Sequence, residues 1–301
     1  MRQDELKMYL SKPTKASFIN LLNAYDLETK AKYGQNFIYN LDLLKTFLEK
    51  ANLDDLDKVL EIGSGAGTFS YVLAKTANEL KSIEVDRDFK PLLSDLKTYL
   101  NAQGKDLDFI FEDALKLDWS KFYPKTDSFT VVSNLPYNLT TKLITKAITE
   151  AYRADKMLFL VEKSAAPRIL GKAGDGKSFM ENQGYLTKLI STYGSKQELM
   201  TVSRHNFYPE PRVDSKLILF TKDDTSLAYE VLSKYSHELN KVIETSFSMR
   251  RKTLANNFKS INKKKEVRAF LAAENLSQSI RAEELSANDF AKLLLFLLEE
   301  K

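Results

Sequence analysis

Between residues 58 and 162 short apolar runs alternate with longer stretches of helical period. The runs KVLEI (58–62), KSIEVD (81–86), LDFIFEDA (107–114), SFTVVSN (128–134) and KMLFLVE (156–162) read as strands, and the spacing between them predicts helices over about 67–79, 88–101 and 139–153. Strand–helix alternation of this kind predicts a parallel sheet covered by helices on both faces, an α/β Rossmann-like fold. Upstream, ASFINLLNAY (16–25) has helical spacing and leads into KYGQNFIYN (32–40), with a further helix expected over 41–50. Two later β-like runs, ELMTVS and KLILFT (216–221), flank the turn YPEPR, so the far edge of the sheet is expected to turn antiparallel.

The pattern changes after about residue 223. The segments LAYEVLSKYSHELNKVIETSF, KTLANNFKSI, KEVRAFLAAENL and NDFAKLLLFLLEEK are all helical in period. A boundary is expected at KDDTS (222–226), separating a catalytic domain of residues 1–223, with an N-terminal helical arm, from a small all-helical domain of residues 224–301. A chain of 301 residues exceeds the usual single-domain size, which agrees with one large and one small domain.

Composition narrows the chemistry. With no cysteine there are no disulfides, thiolate metal sites or cysteine nucleophiles, and His205 and His237 alone argue against a zinc site; no metal is expected. No run is long and apolar enough to cross a bilayer, and the start MRQDELKMYL lacks the apolar stretch of a signal peptide, so a cytoplasmic protein is expected. The net charge of +4 is unevenly spread: Lys241 to Arg268 carries nine Lys/Arg against Glu244 and Glu266, a local +7 that leaves −3 for the remainder. That segment is the cationic pole.

In a parallel sheet ligands bind outside the carboxyl ends of the strands. The first strand opens into EIGSGAG, with Gly63, Gly65 and Gly67 at alternate positions, where missing side chains let the backbone bend and approach a ligand. Alone, such a turn serves structure as readily as a cofactor. The second strand ends in Glu84, twenty-one residues after Gly63, placed to accept from the ribose hydroxyls of an adenosine-containing cofactor. The third ends in Asp113, which can accept from an adenine amine, and the fourth in Asn134. The G-x-G-x-G spacing departs from the dinucleotide G-x-G-x-x-G and leans toward S-adenosylmethionine.

The stretch SNLPYNLT (133–140) supplies the reaction. The exocyclic N6 of adenine is a poor nucleophile because its lone pair is delocalised into the ring. The Asn134 side-chain oxygen and the Leu135 carbonyl can accept the two N6 hydrogens, Pro136 fixes the bend that aims that carbonyl, and Tyr137 can stack on the base. No general base is required, since N6 becomes acidic as positive charge develops on it.

The ordered set GQNF, VLEIGSGAGTFS, IEVDRD, EDAL and NLPYN resembles the ribosomal RNA adenine N6-dimethyltransferases, over residues from about 12 to 299. NFYPEPRVDS (206–215), RRKTLANN (250–257) and RAEELS (281–286) are similar to the KsgA branch, which acts on small-subunit (16S) RNA. The resemblance implies dimethylation of two adjacent adenines near the 3′ end of that RNA, with S-adenosylmethionine as cofactor, the small ribosomal subunit as partner, and a monomer. By position it implies cofactor contacts at Asn36, Ile38, Gly63, Gly65, Glu84, Asp113 and Asn134, with Asn134, Leu135, Pro136, Tyr137 and Phe207 at the reacting base, Tyr137 and Phe207 sandwiching it. Ser64 stands where the family often has Pro, Ser164 where it usually has Glu, and the stretch 171–185 is longer than usual.

Arg250, Arg251 and Lys252, with Lys263, Lys264 and Lys265 about three helical turns later, are expected to line one phosphate-binding strip. Three other readings stay open: a resistance-type methyltransferase of large-subunit (23S) RNA, a NAD-linked oxidoreductase, which the missing proton-donor candidates disfavour, and a non-catalytic assembly factor, which the intact NLPYN disfavours.

Overall fold

The computed structural model describes residues 2–30, 33–53, 55–124, 127–172, 182–249 and 251–299. The chain opens with α1 (Arg2–Ser11) and α2 (Lys15–Ala24), the latter started by a capping box in which Thr14 and Ser17 satisfy each other's backbone N–H. A two-residue strand β1 (Phe37–Ile38) precedes α3 (Leu41–Lys50), which is capped by Asn40. The alternating body follows as β2 (Leu56–Ile62), α4 (Thr68–Thr76), β3 (Ala77–Glu84), α5 (Lys90–Asn101), β4 (Asp106–Phe111), β5 (Thr130–Asn134), α6 (Thr140–Glu150) and β6 (Lys156–Glu162). Next come α7 (Ala166–Leu170), α8 (Tyr185–Tyr193), β7 (Gly194–Val202), β8 (Phe207–Tyr208) and β9 (Ser215–Lys222). The chain closes with α9 (Leu227–Ser246), α10 (Leu254–Asn257), α11 (Lys264–Ala273) and α12 (Ala287–Glu299).

The main sheet has seven strands in the order β4-β3-β2-β5-β6-β9-β7, with β3–β4, β2–β3, β2–β5 and β5–β6 parallel. Chain order runs outward from β2 in one direction and resumes at β5 in the other. The carboxyl ends of β2 and β5 therefore border the switch point where such sheets open a crevice. The central strands β5 and β6 are buried along almost their whole length, as expected for strands covered on both faces.

A second sheet pairs β1 with β8, antiparallel, Phe37 opposite Tyr208 and Ile38 opposite Phe207. The N-terminal helices brace it: Phe18 packs against the rings of Phe37, Tyr39 and Tyr208, and the Tyr9 hydroxyl donates to the Tyr39 carbonyl at 2.7 Å. Neither α1 nor this small ribbon was expected from the sequence pattern.

The described residues divide into two compact units. One holds Met1–Leu143, Arg153–Lys163 and Glu198–Leu219; the other holds Ile144–Tyr152, Ser164–Gln197 and Phe220–Lys301. Near KDDTS the change of unit falls after Leu219, and Ser226 caps α9. The helical unit is nevertheless larger than residues 224–301. Within it α8 packs on α9 and α12, the Tyr185 hydroxyl donates to Asn240 Oδ1 at 2.6 Å, and Lys188 Nζ donates to the Leu285 carbonyl at 2.7 Å. Apolar faces on the earlier helices pull those segments into the second core.

Candidate active site

The glycine loop is built by contacts that exclude side chains. Gly63, Gly65 and Gly67 all have positive φ, at +84°, +53° and +78°. A Cβ on Gly65 would lie 2.5 Å from the Phe37 ring, and one on Gly67 would lie 2.6 Å from Leu96, so these two are set by packing as well as conformation. At Gly63 a Cβ would meet nothing within 4 Å. Its backbone borders the crevice directly, leaving room for a bound group.

Glu84 closes this loop from β3. Its Oε2 accepts the Gly65 N–H at 2.6 Å and its Oε1 accepts the Asp86 N–H at 2.8 Å, which fixes the carboxylate in place. Burial raises its pKa, and the backbone donors oppose that rise without cancelling it. Each oxygen keeps a lone pair for a further donor such as a hydroxyl. Asp113, in the loop after β4, is half-buried; its Oδ1 caps the turn by accepting the Leu115 N–H at 2.9 Å. Buried Trp119 steadies the same loop by donating to the Ala114 carbonyl at 2.8 Å.

Asn134 ends β5. Its Nδ2 donates to the Asn36 carbonyl at 2.8 Å, so the opposite edge of the amide, Oδ1, is left for an incoming donor. Leu135 continues the strand by donating its N–H to the Leu160 carbonyl at 3.0 Å. The next carbonyl, of Pro136, is engaged at the start of α6, where Leu139 N–H donates at 2.9 Å and Thr140 Oγ1 at 3.3 Å. Half-buried Tyr137 shares a 2.9 Å hydrogen bond with buried Ser215, and burial raises the pKa of the phenol. Its hydroxyl is thus part of the framework, which the ring-stacking argument from sequence did not anticipate.

One cleft within the first unit brings these groups together. Asn36, Ile38, Gly63, Gly65, Glu84, Asp113, Asn134, Leu135, Pro136 and Tyr137 all line it. Phe207 does not. It is wholly buried, paired with Ile38 in the small sheet and enclosed by the core, so its ring offers no free face to a base in this structure. The sandwich expected of Tyr137 and Phe207 therefore has only Tyr137 at the cleft wall, with Phe207 packed behind Ile38.

The basic residues are also placed differently from expectation. Arg250 lies outside the described residues. Arg251 and Lys252 are exposed, ahead of α10; Lys263, Lys264 and Lys265 lie at the start of α11. The chain between turns through a short 3₁₀ segment (Phe258–Ile261) and the left-handed residue Asn262, φ +58°. The spacing of about three helical turns therefore does not hold, and the two clusters stand on separate elements. Lys263 is paired with Glu266 at 3.0 Å. Buried Asn257 fastens the turn that carries Arg251 and Lys252: its Nδ2 donates to the Ser246 carbonyl at 2.7 Å and its Oδ1 accepts the Met249 N–H at 2.9 Å.

Sequence reasoning passed over Glu61, one residue from the glycine loop. It is fully buried, its Oε2 accepts from the Ser70 and Ser82 hydroxyls at 2.5 Å each, and Ser82 also meets Ser64 at 2.5 Å. Burial pushes the Glu61 carboxyl up to about 7, with the two serines pulling against it and Glu84 adding to the rise. A charged residue inside the apolar run VLEI was the available signal. The network also gives Ser64 a partner, which accounts for a hydroxyl at that loop position.

A parallel sheet whose switch-point crevice is lined by a glycine loop, a fixed strand-end acid and an anchored strand-end amide defines a Rossmann-like methyltransferase. The comparisons narrow that class. The model of the family described as Ribosomal RNA adenine dimethylase matches residues 27–299, and the chain belongs to this family. It is 35% identical over 276 residues to the Ribosomal RNA small subunit methyltransferase A of Clostridium botulinum (strain Kyoto / Type A2), covering 91% of this chain and 95% of that protein. The protein of the same name from Fusobacterium nucleatum is 31% identical over 274 residues, 89% of this chain and 97% of its own length. Among solved structures, a dimethyladenosine transferase from Plasmodium falciparum superposes with a TM-score of 0.66 at 26% identity, over 87% of this chain and 97% of that one.

Proposed function

We propose that the protein uses S-adenosylmethionine to dimethylate N6 of two adjacent adenosines near the 3′ end of small-subunit rRNA, with the small ribosomal subunit as its partner. The observation that carries this reading is the anchored Asn134 amide, which lines the same cleft as Glu84 and the glycine loop. The residues fit the cofactor. Glu84, held by backbone donors, could accept from ribose hydroxyls, Asp113 lines the same cleft and could accept from an adenine amine, and the open side of Gly63 leaves space a Cβ would otherwise fill.

S-adenosylmethionine supplies, when bound, a methyl group made electrophilic by its sulfonium. The chain's own part is alignment. Asn134 Oδ1 and the Leu135 carbonyl accept the N6 hydrogens, turning the lone pair out of conjugation with the ring, and Tyr137 holds the base by its face. The proton lost from N6 passes to solvent as positive charge builds on the nitrogen. Two rounds at each of two adenines consume four methyl groups.

The two bacterial relatives named above are small-subunit methyltransferases by name and are matched over 91% and 89% of this chain, which supports this substrate over large-subunit RNA. We read Arg251 and Lys252, with the lysines at the start of α11, as phosphate contacts, and residues 224–301 as the part that grips rRNA. Incubation of undermethylated small and large subunits with the protein and labelled cofactor tests the choice. Label is expected in the small subunit; label confined to the large subunit would overturn the reading.

A further inference from the structure

The orientation of the Asn134 amide depends on a carbonyl 98 residues away in sequence, that of Asn36. An amide whose NH2 is tied can present its oxygen correctly only if that acceptor is held still. On one side of Asn36 the chain is fixed by Phe37, which pairs with Tyr208, sits over Gly65 and meets Phe89 edge-on at 5.4 Å. On the other side is Gln35.

Gln35 is anchored at both ends of its amide. Its Oε1 accepts the backbone N–H of Lys30 at 2.7 Å, and its Nε2 donates to Asp86 Oδ2 at 3.1 Å. Asp86 is only 3% exposed, and its other oxygen receives Lys30 Nζ at 2.7 Å; Lys30 also pairs with Asp88. The Asp86 N–H is the donor to Glu84 Oε1. Hydrogen bonds thus link the strand-end acid Glu84 to Asp86 and Gln35, and the peptide bond from Gln35 carries that support to Asn36, whose carbonyl holds the Asn134 amide.

We infer that Gln35, braced by Asp86 and Lys30, is a positioning residue for the methyl-transfer step: it sets the Asn36 carbonyl, which in turn sets the direction of the Asn134 amide oxygen. Gln35 is assigned no contact with the base or the reacting methyl. The inference rests on the proposed role of Asn134 and adds to it the source of that residue's alignment. Its energetic signature is loss of turnover with cofactor binding preserved, and dependence of that loss on Asn134 being present.

The test is a double-mutant cycle in the full chain, read by single-turnover transfer of labelled methyl to undermethylated small subunits. Gln35→Met keeps the volume of the side chain and removes its donor and acceptor. It is expected to slow transfer about tenfold while cofactor affinity by calorimetry stays within about threefold, and to slow Asn134→Ala by less than about twofold further. Lys30→Met, which removes the ammonium and leaves Gln35 intact, is expected to act in the same direction more weakly, and it carries the test if Gln35→Met does not fold. Equal losses in both backgrounds would overturn the inference, as would a loss of cofactor affinity matching the loss of rate. Wild-type turnover by Asn134→Ala on its own would instead remove the catalytic reading on which the inference stands.

Discussion

The cleft and the helical unit both bury ionisable groups, but of opposite sign and to different ends. In the cleft the buried groups are acids, Glu61, Glu84 and Asp86, each held by named donors in the layer beneath the ligand surface. In the helical unit they are lysines: buried Lys188 donates to the Leu285 carbonyl, and half-buried Lys196, which desolvation and then the nearby Lys188 charge push down to about 7, donates to the Thr187 carbonyl and Ser191 hydroxyl. The first set orients groups that face a small cavity, where each atom counts. The second set fastens helices, while the charges offered to solvent, Arg251 and Lys252 among them, act as a sum. Substitutions in the cleft should therefore change chemistry at single positions, and those in the helical unit should change docking by degrees.

The largest effect is expected at Asn134. Asn134→Ala should lower kcat by about 100-fold or more with little change in either KM, because alignment is realised at the reacting centre. Steady-state kinetics with subunit and cofactor varied separately checks this, and a loss confined to cofactor KM would move Asn134 out of the chemical step. Next in size is Glu84→Ala, expected to weaken cofactor binding by about 1.5–3 kcal/mol, the range for losing a hydrogen bond to a charged group, with subunit affinity unchanged. Calorimetry on the folded variant reads both quantities.

Glu61 and Lys196 give the two regions opposite pH dependence. Between pH 4.5 and about 7 the folded chain keeps a proton on Glu61 that the unfolded chain releases, so stability falls as pH rises through that window. Glu61→Gln should remove the Glu61 share of this fall, worth about 1–3 kcal/mol, and leave the share of Glu84, whose pKa burial also raises. For Lys196 the unfolded chain binds the extra proton between about 7 and 10.5, so stability rises with pH there, and Lys196→Met should remove the rise. Urea unfolding at pH 5, 7 and 9 separates the two slopes; a shared sign would break the contrast.

The smallest effect belongs to the exposed cations. Replacing Arg251 and Lys252 together with Gln should lower the slope of log affinity for the subunit against log salt by roughly 0.7–0.9 per lost phosphate contact, leaving cofactor affinity and single-turnover rate at saturating subunit unchanged. An unchanged salt slope would mean that these charges face only solvent.

What could be read from the sequence follows the same division. KMLFLVE was legible as a strand because a central parallel strand buried on both faces must be apolar throughout, and it spans Lys156–Glu162 as expected. The stretch ANEL was not: its residues suit a helix, yet parallel pairing that sets Ala77 opposite Leu56 draws it into β3, ending α4 at Thr76. In the cleft, strand-end residues were legible because topology alone brings them together. The Asn36–Asn134 bond, the Gln35–Asp86 brace and the Tyr137–Ser215 contact were not, since each joins segments 98, 51 and 78 residues apart through packing that no local pattern encodes. Phe207 matches the resemblance in residue type, while its burial beside Ile38 is a packing feature that no motif carries.

The central claim is that this cleft places two methyl groups on adenine N6 through the Asn134 amide. Mass spectrometry of nucleosides from undermethylated small subunits, incubated with S-adenosylmethionine and either the wild-type chain or Asn134→Ala, tests it most directly. The account predicts N6,N6-dimethyladenosine at two adjacent positions near the 3′ end with the wild-type chain and at least about a hundredfold slower accumulation with the variant. Dimethyladenosine formed at the same rate by both proteins, or methylation at a position other than adenine N6, would contradict it.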